Sequence, residues 1–327
     1  MGILEQGLRP PREDRGLSHE TSAGCDVGGT SLKAVRLEGT EIAASHEAPT
    51  PSDGNARAIT DAIAAAVRAV SGGKALPAGV AVPGFLDADR SGVLHLSNLP
   101  ALDGTPLRRE LAKRLRTRIV LDADTNAGAV SEALLGAGRP FERVLYVTAG
   151  TGLGAALVIR GCPVRVSNHT VGHVAHLPLD PAGLRCRCGS RGCAEALLSA
   201  RGILLRATGR GLRSARTPED LYRIATSRGS SPERALARAV WRETGDLIGA
   251  LARMLSSLFR PEAIVIGGGI AGAADIFLPR ARARLLRPRG RPGSGGRKPV
   301  APALLCAAGG RFAGAAGMAL LVRNGAD

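Results

Sequence analysis

Two hydrophobic periods alternate along the chain. Short apolar runs bounded by turn residues predict strands at 23–27, 32–37, 80–82, 119–121, 144–148, 155–159, 263–266 and 303–306. Apolar residues three or four apart predict helices through Ile59, Ile63, Val67 and Val70, over 107–115, over 126–135, from Leu236 to Leu258 and from Ala313. Strands and helices therefore alternate, and this order predicts an α/β fold.

Two segments share one design, which is a strand, a turn rich in glycine and hydroxyl groups, and a second strand. They are DVGGT at 26–30, with Lys33 beyond it, and TAGTGLG at 148–154. Backbone N–H groups and hydroxyls in such turns can approach an anion closely. The spacing fits neither a dinucleotide-binding GxGxxG nor a Walker A motif. The first turn alone is more typical of a tight hairpin, and one such turn is weak evidence, but the pair predicts two phosphate-binding hairpins facing across a cleft.

A third glycine-rich segment, IVIGGGI at 264–270, follows a buried strand. Its bare backbone could lie against a flat ligand such as adenine. A tight turn between a strand and a helix is the alternative, and this segment taken alone favours that turn.

Three cysteines and one histidine have the spacing of a metal site. Cys186, Cys188 and Cys193 follow His176 within a glycine-containing loop. Four such ligands predict a closed tetrahedral zinc site, which leaves no open position and is therefore structural. Reduced buried cysteines and a disulfide are the alternatives.

Acidic residues follow the predicted strand 119–121 in the segment DADTN at 122–126. Side chains at the carboxyl end of a strand point towards the crevice where α/β folds bind ligands. Asp124 could accept the proton of a hydroxyl during phosphoryl transfer. A helix N-cap formed by Asp124 or Thr125 is the alternative.

Composition indicates the partners and the compartment that the protein can have. The chain has 327 residues, of which 44% are hydrophobic and 2% aromatic, and its formal charge of +16 favours phosphate-bearing partners. We expect residues 1–22 to be a disordered tail and the arginine-rich run 280–298 to be a solvated loop that does not bind nucleic acid. No signal peptide or membrane span is predicted, so we expect a cytoplasmic protein with reduced thiols.

Together these segments resemble the ROK family (repressors, open reading frames, kinases) of the hexokinase and actin-like superfamily. The resemblance lies in DVGGTSLKAV, VAVPGFLD, SNLP, GTGLG, HLPLDPAGLRCRCGSRGCAE, IVIGGGI and AGGRFAGAAG, which occur in the family's order over about 23–322. It implies two ribonuclease-H-like α/β domains with a cleft between them, in an ATP- and magnesium-dependent hexose kinase that forms a homodimer. The implied division is a domain at 23–122, a larger domain at 123–305 with the zinc loop at 176–193, and a helix at 306–327 that returns to the first domain.

The resemblance also assigns roles to residues. Asp124 becomes the general base, and sugar contacts fall on Asn98, His173, His176 and Glu195. His176 is also a zinc ligand with Cys186, Cys188 and Cys193. The ATP-binding positions are Asp26, Gly28, Gly29, Thr30, Lys33, Thr151, Gly152, Gly268 and Gly269.

Three segments depart from the family pattern. Ala123 replaces an asparagine, His173 replaces a glutamate, and Arg311-Phe312 replaces an acidic pair. Each lost hydrogen bond to a sugar hydroxyl could cost about 1–3 kcal/mol, which corresponds to roughly a tenfold to hundredfold loss in rate. A protein that binds sugar and nucleotide with little turnover is therefore an alternative to an active kinase.

Two further alternatives concern the partner. Regulators of this family carry a DNA-binding helix-turn-helix before the first glycine turn, and Asp26 lies too near the start of the printed sequence for one, so we expect no nucleic-acid partner. A kinase that uses polyphosphate would suit the basic surface, although the zinc cysteines resemble those of the ATP-using branch.

Overall fold

The computed structural model describes residues 20–96, 98–166, 171, 173–286 and 301–323. Their strands and helices alternate, and the predicted α/β class is confirmed. By contacts the chain divides into two compact units. The first consists of 1–144, 156–172 and 308–327, and the second of 145–155 and 173–307. Among the described residues, no helix is long and apolar enough to cross a membrane.

The first unit is built on a five-stranded sheet. Its strands are β1 (Thr21–Val27), β2 (Ser31–Glu38), β3 (Glu41–Pro49), β4 (Ala78–Val82) and β7 (Ile119–Ala123), in the spatial order β3-β2-β1-β4-β7. β1, β2 and β3 are antiparallel neighbours, whereas β4 runs parallel to both β1 and β7. A short antiparallel hairpin of β5 (Phe85–Leu86) and β6 (Val93–His95) follows β4.

Helices pack on this sheet because its strands alternate apolar positions. Ala23, Cys25 and Val27 of β1 join a core with apolar residues of α1 (Ala56–Ser71) and α2 (Leu107–Leu115). Gly24 of β1 contacts α9 (Ala313–Arg323), where an added Cβ would overlap the Ala315 carbonyl oxygen. Helix α9 also packs on α3 (Asp124–Leu134), so the chain's C-terminal helix completes the first unit.

A buried carboxylate binds the backbone just before this C-terminal helix. Glu132 of α3 is almost fully buried and accepts the backbone N–H groups of Ala137 at 3.0 Å, Ala308 at 3.0 Å and Gly309 at 2.6 Å. These bonds use both carboxylate oxygens, so the charge is solvated by backbone donors.

A second five-stranded sheet has the order β10-β9-β8-β11-β12. Its strands are β8 (Arg143–Ala149), β9 (Leu153–Ile159), β10 (Cys162–Val164), β11 (Ala263–Gly267) and β12 (Ala303–Cys306). β9 and β10 form an antiparallel pair, and β11 runs parallel to β12.

The helices of the second unit are α4 (Ala194–Leu198), α5 (Ala200–Gly209), α6 (Pro218–Thr226), α7 (Pro232–Phe259) and α8 (Ala274–Leu285). α7 begins at the N-cap Ser231, whose side chain accepts the N–H of Arg234. The buried rings of Trp241 and Phe277 stack between α7 and α8 with centroids 6.2 Å apart. Gly245 permits this close packing, because a Cβ there would lie 2.5 Å from the Phe277 carbonyl oxygen.

The structure corrects several boundaries. β1 begins at Thr21, so the end of the predicted tail 1–22 is ordered, while residues 1–19 lie outside the described residues. Positions 280–285 of the predicted arginine-rich loop belong to α8, and 287–298 lie outside the described residues. The first unit continues through α3 to Val144 rather than ending at 122, because α3 packs on α9.

Candidate active site and metal centre

The first glycine turn is closed by one hydrogen bond within the turn and one from Thr50, the residue that follows β3. The N–H of Gly28 donates to the Ser31 carbonyl at 3.0 Å, and the Thr50 hydroxyl donates to the Gly28 carbonyl at 2.7 Å. A Cβ on Gly29 would lie 3.2 Å from the Cβ of Asn98, so the turn packs against that predicted sugar contact. Thr30, at the tip, is exposed.

Asp26 ends the β1 side of this turn and pairs in register with Lys33 of β2. Burial and, to a smaller extent, the charge of Asp124 together raise the pKa of its carboxyl to about 6, and Lys33 opposes the shift. The side chain also lies against the start of α9, where a Cβ on Gly314 would be 2.6 Å from Oδ2. The two carboxylates are therefore close enough to repel each other, which is a charge arrangement that a cation relieves.

Asp124 is positioned by the parallel strands of the first sheet. Asp26 is in register with Ala81 of β4, and Ala81 with Asp122 of β7, so the three strands end at one level. Asp124 is the first residue of α3, directly after β7. The alternative that Asp124 or Thr125 forms the N-cap is wrong, because the cap position is Ala123 and carries no side-chain bond.

The carboxylate of Asp124 is accessible to solvent yet chemically perturbed. Its Oδ1 accepts the backbone N–H of Thr125 at 2.6 Å and the Thr125 hydroxyl at 3.1 Å. The surrounding protein restricts hydration of the charged form and raises the pKa of this carboxyl, although the bonds from Thr125 lower it. A reachable carboxylate with a raised pKa has the properties of a general base.

An ion pair that sequence reasoning missed lies beneath this site. Asp122 is 1% exposed, accepts the side-chain amide of Asn126 at 2.7 Å, and pairs with the Arg165 guanidinium. Arg165 follows β10, 43 residues along the chain from Asp122. Because Asp122 and Asn126 flank Asp124 in sequence, this pair fixes the strand end and the first turn of α3. No local motif around Arg165 indicates the contact.

The second glycine turn is held by a different set of contacts. Within the turn, the N–H of Gly150 donates to the Gly152 carbonyl at 2.9 Å, and the N–H of Ala200 at the start of α5 donates to the Gly150 carbonyl at 2.8 Å. The Oε2 of Glu195 accepts the N–H of Leu153 at 3.2 Å, and Thr151 at the tip is exposed. The predicted sugar contact Glu195 thus supports the predicted phosphate turn.

The third glycine segment reaches the same turn. A Cβ on Gly268 would overlap the carbonyl oxygen of Ala149, and the φ of Gly268 is +80°. Gly269 is open, and its N atom lies 3.8 Å from the Cβ position of Gly150. Only glycine therefore fits at 268, and the structure brings the predicted adenosine segment to the second phosphate turn.

The structure also brings together the four predicted zinc ligands. One ligand atom each of His176, Cys186, Cys188 and Cys193 lies within 4.8 Å of the others. The Sγ atoms of Cys188 and Cys193 are 3.6 Å apart, and His176 Nδ1 is 3.7 Å from the Sγ of Cys186. A tetrahedral zinc with Zn–S bonds of about 2.3 Å places its ligand atoms roughly 3.5–3.8 Å apart, so the donors fit this ion.

The cysteines of this cluster differ in acidity. A hydrogen bond from the Ser190 backbone, with help from Cys186, lowers the pKa of Cys188 to about 7, whereas burial raises the pKa of Cys193 to about 12. His173 and His176 lie with ring centroids 6.2 Å apart. α4 begins immediately after Cys193 and carries Glu195 in its first turn, so the cysteine loop positions Glu195.

Comparison with known proteins places this geometry in context. The model of the ROK family matches residues 22–325. A glucokinase from Streptomyces coelicolor is 31% identical over 271 residues, covering 78% of this chain and 84% of that protein. An N-acetyl-D-glucosamine kinase from Escherichia coli O127:H6 is 30% identical over 261 residues, covering 76% of this chain and 84% of that protein.

Among solved structures, the fold is similar to a ROK family glucokinase from Streptomyces griseus in complex with glucose and AMPPNP. The TM-score is 0.72 at 30% identity, and the match covers 93% of this chain and 100% of that one.

Proposed function

Because the chain belongs to the ROK family, we propose that it is an ATP-dependent kinase of a hexose or an N-acetylhexosamine. The glucokinase and N-acetyl-D-glucosamine kinase relatives support this substrate class. The observation that carries the proposal is Asp124, an accessible carboxylate whose pKa is raised and whose neighbour is the glycine turn with Asp26.

In the proposed reaction, Asp124 accepts the proton of a sugar hydroxyl as its oxygen bonds to the γ-phosphorus of ATP. The bond from the γ-phosphorus to the bridging oxygen breaks, and ADP leaves. Asp124 also orients the hydroxyl, because positioning and charge supply most of the catalysis in phosphoryl transfer. The pKa of the carboxyl, raised above its ordinary value, makes it a better proton acceptor than an ordinary surface aspartate.

The phosphates are assigned to backbone N–H groups and hydroxyls of the glycine turns. Gly28, Gly29, Thr30 and Lys33 would contact them from the first turn, Thr151 and Gly152 from the second, and Gly268-Gly269 would lie against adenosine. Asp26 would hold magnesium, directly or through water, because a carboxylate with a neighbouring negative charge is a preferred environment for a hard cation. Magnesium held there would supply positive charge against the phosphates.

The sugar is assigned to Asn98, His173, His176 and Glu195. One carboxylate oxygen of Glu195 accepts the N–H of Leu153, and the other would accept a sugar hydroxyl. The zinc proposed at His176, Cys186, Cys188 and Cys193 has four protein ligands, so its role is to hold the loop that precedes Glu195.

A second candidate is a protein that binds sugar and nucleotide with little turnover. Two residues favour it. Ala123, next to the proposed base, has no hydrogen-bonding side chain, and His173 stands where the family has a glutamate. Each change removes a group that would meet a sugar hydroxyl.

One experiment separates the two candidates. Purified protein with ATP and magnesium is assayed for ADP release against a panel of hexoses and N-acetylhexosamines, in parallel with thermal shift on the same sugars. Sugar-dependent ADP release supports the kinase. Sugar-induced stabilisation without ADP release for any sugar supports the binding protein and contradicts the kinase.

A further inference from the structure

Three charged side chains form a row across the first sheet, on the face that α9 covers. Asp26 of β1 is in register with Lys33 of β2, and Lys33 is in register with Glu47 of β3. Residues directly opposite each other on antiparallel strands lie on one face of the sheet, with Cβ atoms about 4.5–5.5 Å apart. Asp26 lies against Gly314 near the start of α9, which identifies the face of the whole row. The row therefore places one cation between two carboxylates.

A second cation, Arg311, lies at the outer end of this row. It belongs to the single 3-10 turn Gly310–Phe312, directly before α9, and its guanidinium forms an ion pair with Glu47. Glu47 is on β3, which is the edge strand of the sheet. Arg311 stands where the ROK pattern has an acidic residue. The charge at this end of the row is therefore reversed relative to that pattern.

The ion pair decides what Lys33 can bind. Within the residues that the structure describes, the Lys33 ammonium makes no ion pair or hydrogen bond, although its charge acts on Asp26. Glu47 has Arg311 as its one partner among the same residues. Without Arg311, an unpaired carboxylate would stand directly opposite Lys33, and opposite charges at such positions attract each other. Lys33 would then turn towards the edge strand, away from Asp26 and the glycine turn.

We propose that Arg311 is a positioning residue, which holds Glu47 and so keeps the Lys33 ammonium available for the nucleotide phosphates. This role rests on the proposed function in one respect, the assignment of Lys33 to those phosphates. Arg311 itself does not contact the nucleotide, because it acts through Glu47 and Lys33.

The test measures the affinity for AMPPNP with magnesium by calorimetry, without sugar and without turnover. At low salt, R311A should bind about threefold more weakly, because the attraction between Lys33 and a partly exposed carboxylate is modest and screened by ions. The double variant R311A/E47Q should regain the wild-type affinity, and R311K should keep it. R57A is the matched control, because Arg57 is an exposed partner of Asp61 in α1, on the other face of the sheet, and its loss should leave the affinity unchanged.

A variant of Lys33 shows whether the effect passes through that side chain. K33Q should itself lose about tenfold in affinity, and adding R311A to it should weaken binding no further. A loss in R311A that persists in the K33Q background, or that E47Q does not restore, would mean that Arg311 contacts the phosphates directly and would overturn the proposal. Unchanged binding in R311A would also overturn it.

A merely structural role for Arg311 predicts a different pattern. In that case R311A would lower the melting temperature and weaken sugar binding together with nucleotide binding. The proposed role leaves the melting temperature and the sugar affinity of R311A at their wild-type values, so a fall in both would contradict it.

Binding and turnover together separate this inference from the kinase proposal. The full pattern of affinities in a protein that phosphorylates no sugar would sink the proposed function and leave the role of Arg311 standing. An active kinase whose affinity for AMPPNP does not respond to R311A would keep the function and overturn the role. A protein that does not bind AMPPNP would overturn both.

Discussion

The two glycine turns have the same strand-turn-strand design but are held in place differently. Each turn has one bond of its own, from Gly28 to Ser31 in the first and from Gly150 to Gly152 in the second. The first is also held by Thr50, which follows β3 of the same sheet, whereas the second depends on α5 and on Glu195, which follows the cysteine loop. The first turn is therefore supported by its own sheet, and the second by a helix and by a loop that we propose is held by a metal.

The two turns also differ in the chemical groups that they present. The first turn carries an acidic group whose pKa is raised, Asp26, close to the proposed base Asp124. The second presents the hydroxyl of Thr151 and receives its carboxylate from Glu195, outside the turn. We infer that the first turn is specialised for the cation and the reacting hydroxyl, and the second for fixing the phosphates.

Loss of the metal should have the largest effect and should act on the second turn. Cys188→Ser is expected to abolish zinc binding and lower the stability of the second unit by several kcal/mol, less than the roughly 10–16 kcal/mol that zinc gives isolated zinc fingers, because this unit has its own core. Elemental analysis and thermal unfolding measure both quantities. Cys162→Ser, an exposed cysteine outside the cluster, is the control and should change neither. A wild-type protein prepared without chelators that contains no zinc would contradict the metal site.

Breaking the buried ion pair should act on the first unit. Arg165→Met leaves Asp122 buried without its partner, at a cost of about 3 kcal/mol in the free energy of unfolding. Arg160→Met is the matched control, because Arg160 pairs with Glu142 at 3.4 Å while its side chain is 67% exposed, and it should cost less than about 0.5 kcal/mol. Urea denaturation measures both. A double variant with Asp122→Asn should regain part of the loss; similar values for Arg165→Met and Arg160→Met would refute a structural role for the pair.

Ionisation of Asp26 should lower the free energy of unfolding at neutral pH. The pKa of its carboxyl rises from 3.8 to about 6 on folding, so the protonated carboxyl stabilises the folded state. This stabilisation is present below about pH 4 and is lost as the pH rises through 6. At 1.36 kcal/mol per pKa unit, Asp26→Asn should be more stable than the wild type at pH 7 by about 2–3 kcal/mol and no more stable at pH 4. Denaturation at the two pH values measures the difference, with the exposed Asp53→Asn as control. A difference that does not change with pH would argue against the shift.

The smallest effects should come from removing single hydrogen bonds next to each of the two turns. Thr50→Val removes the bond to Gly28, and Ser199→Ala removes the N-cap of α5, whose side chain accepts the N–H of Gly202. Each should cost about 1 kcal/mol. Hydrogen exchange should show faster opening of the first turn in the former and of the second in the latter. Exchange that increases equally at both turns in either variant would mean that the turns are not held independently.

Sequence patterns predicted the short functional motifs of this molecule but not the long-range contacts between its elements. The glycine turns, Asp124 and the cysteine loop were recognisable because their chemistry depends on residue type and short spacing. The helix predicted from 126 begins at Asp124, since the polar first turn of α3 has no hydrophobic periodicity. β3 was missed because it is an edge strand with largely exposed side chains, and α8 because arginines interrupt its apolar positions.

The long-range contacts had no sequence signal. Arg165 meets Asp122 across 43 residues, and Glu132 meets Gly309 across 177. Such pairs form only because the fold brings strand ends and helix termini together, so they cannot be recognised from short sequence patterns. The roles of Asn98 and His173 at a sugar remain predictions.

The most direct test of the account is the turnover number of Asp124→Asn. With the sugar that gives the highest activity in the wild type, kcat should fall by about 10²–10⁴, while the KM for sugar stays nearly unchanged and the melting temperature does not fall, because the amide keeps the shape but cannot accept the proton. A variant that folds normally and keeps more than about a tenth of the wild-type kcat would contradict a general base at this position.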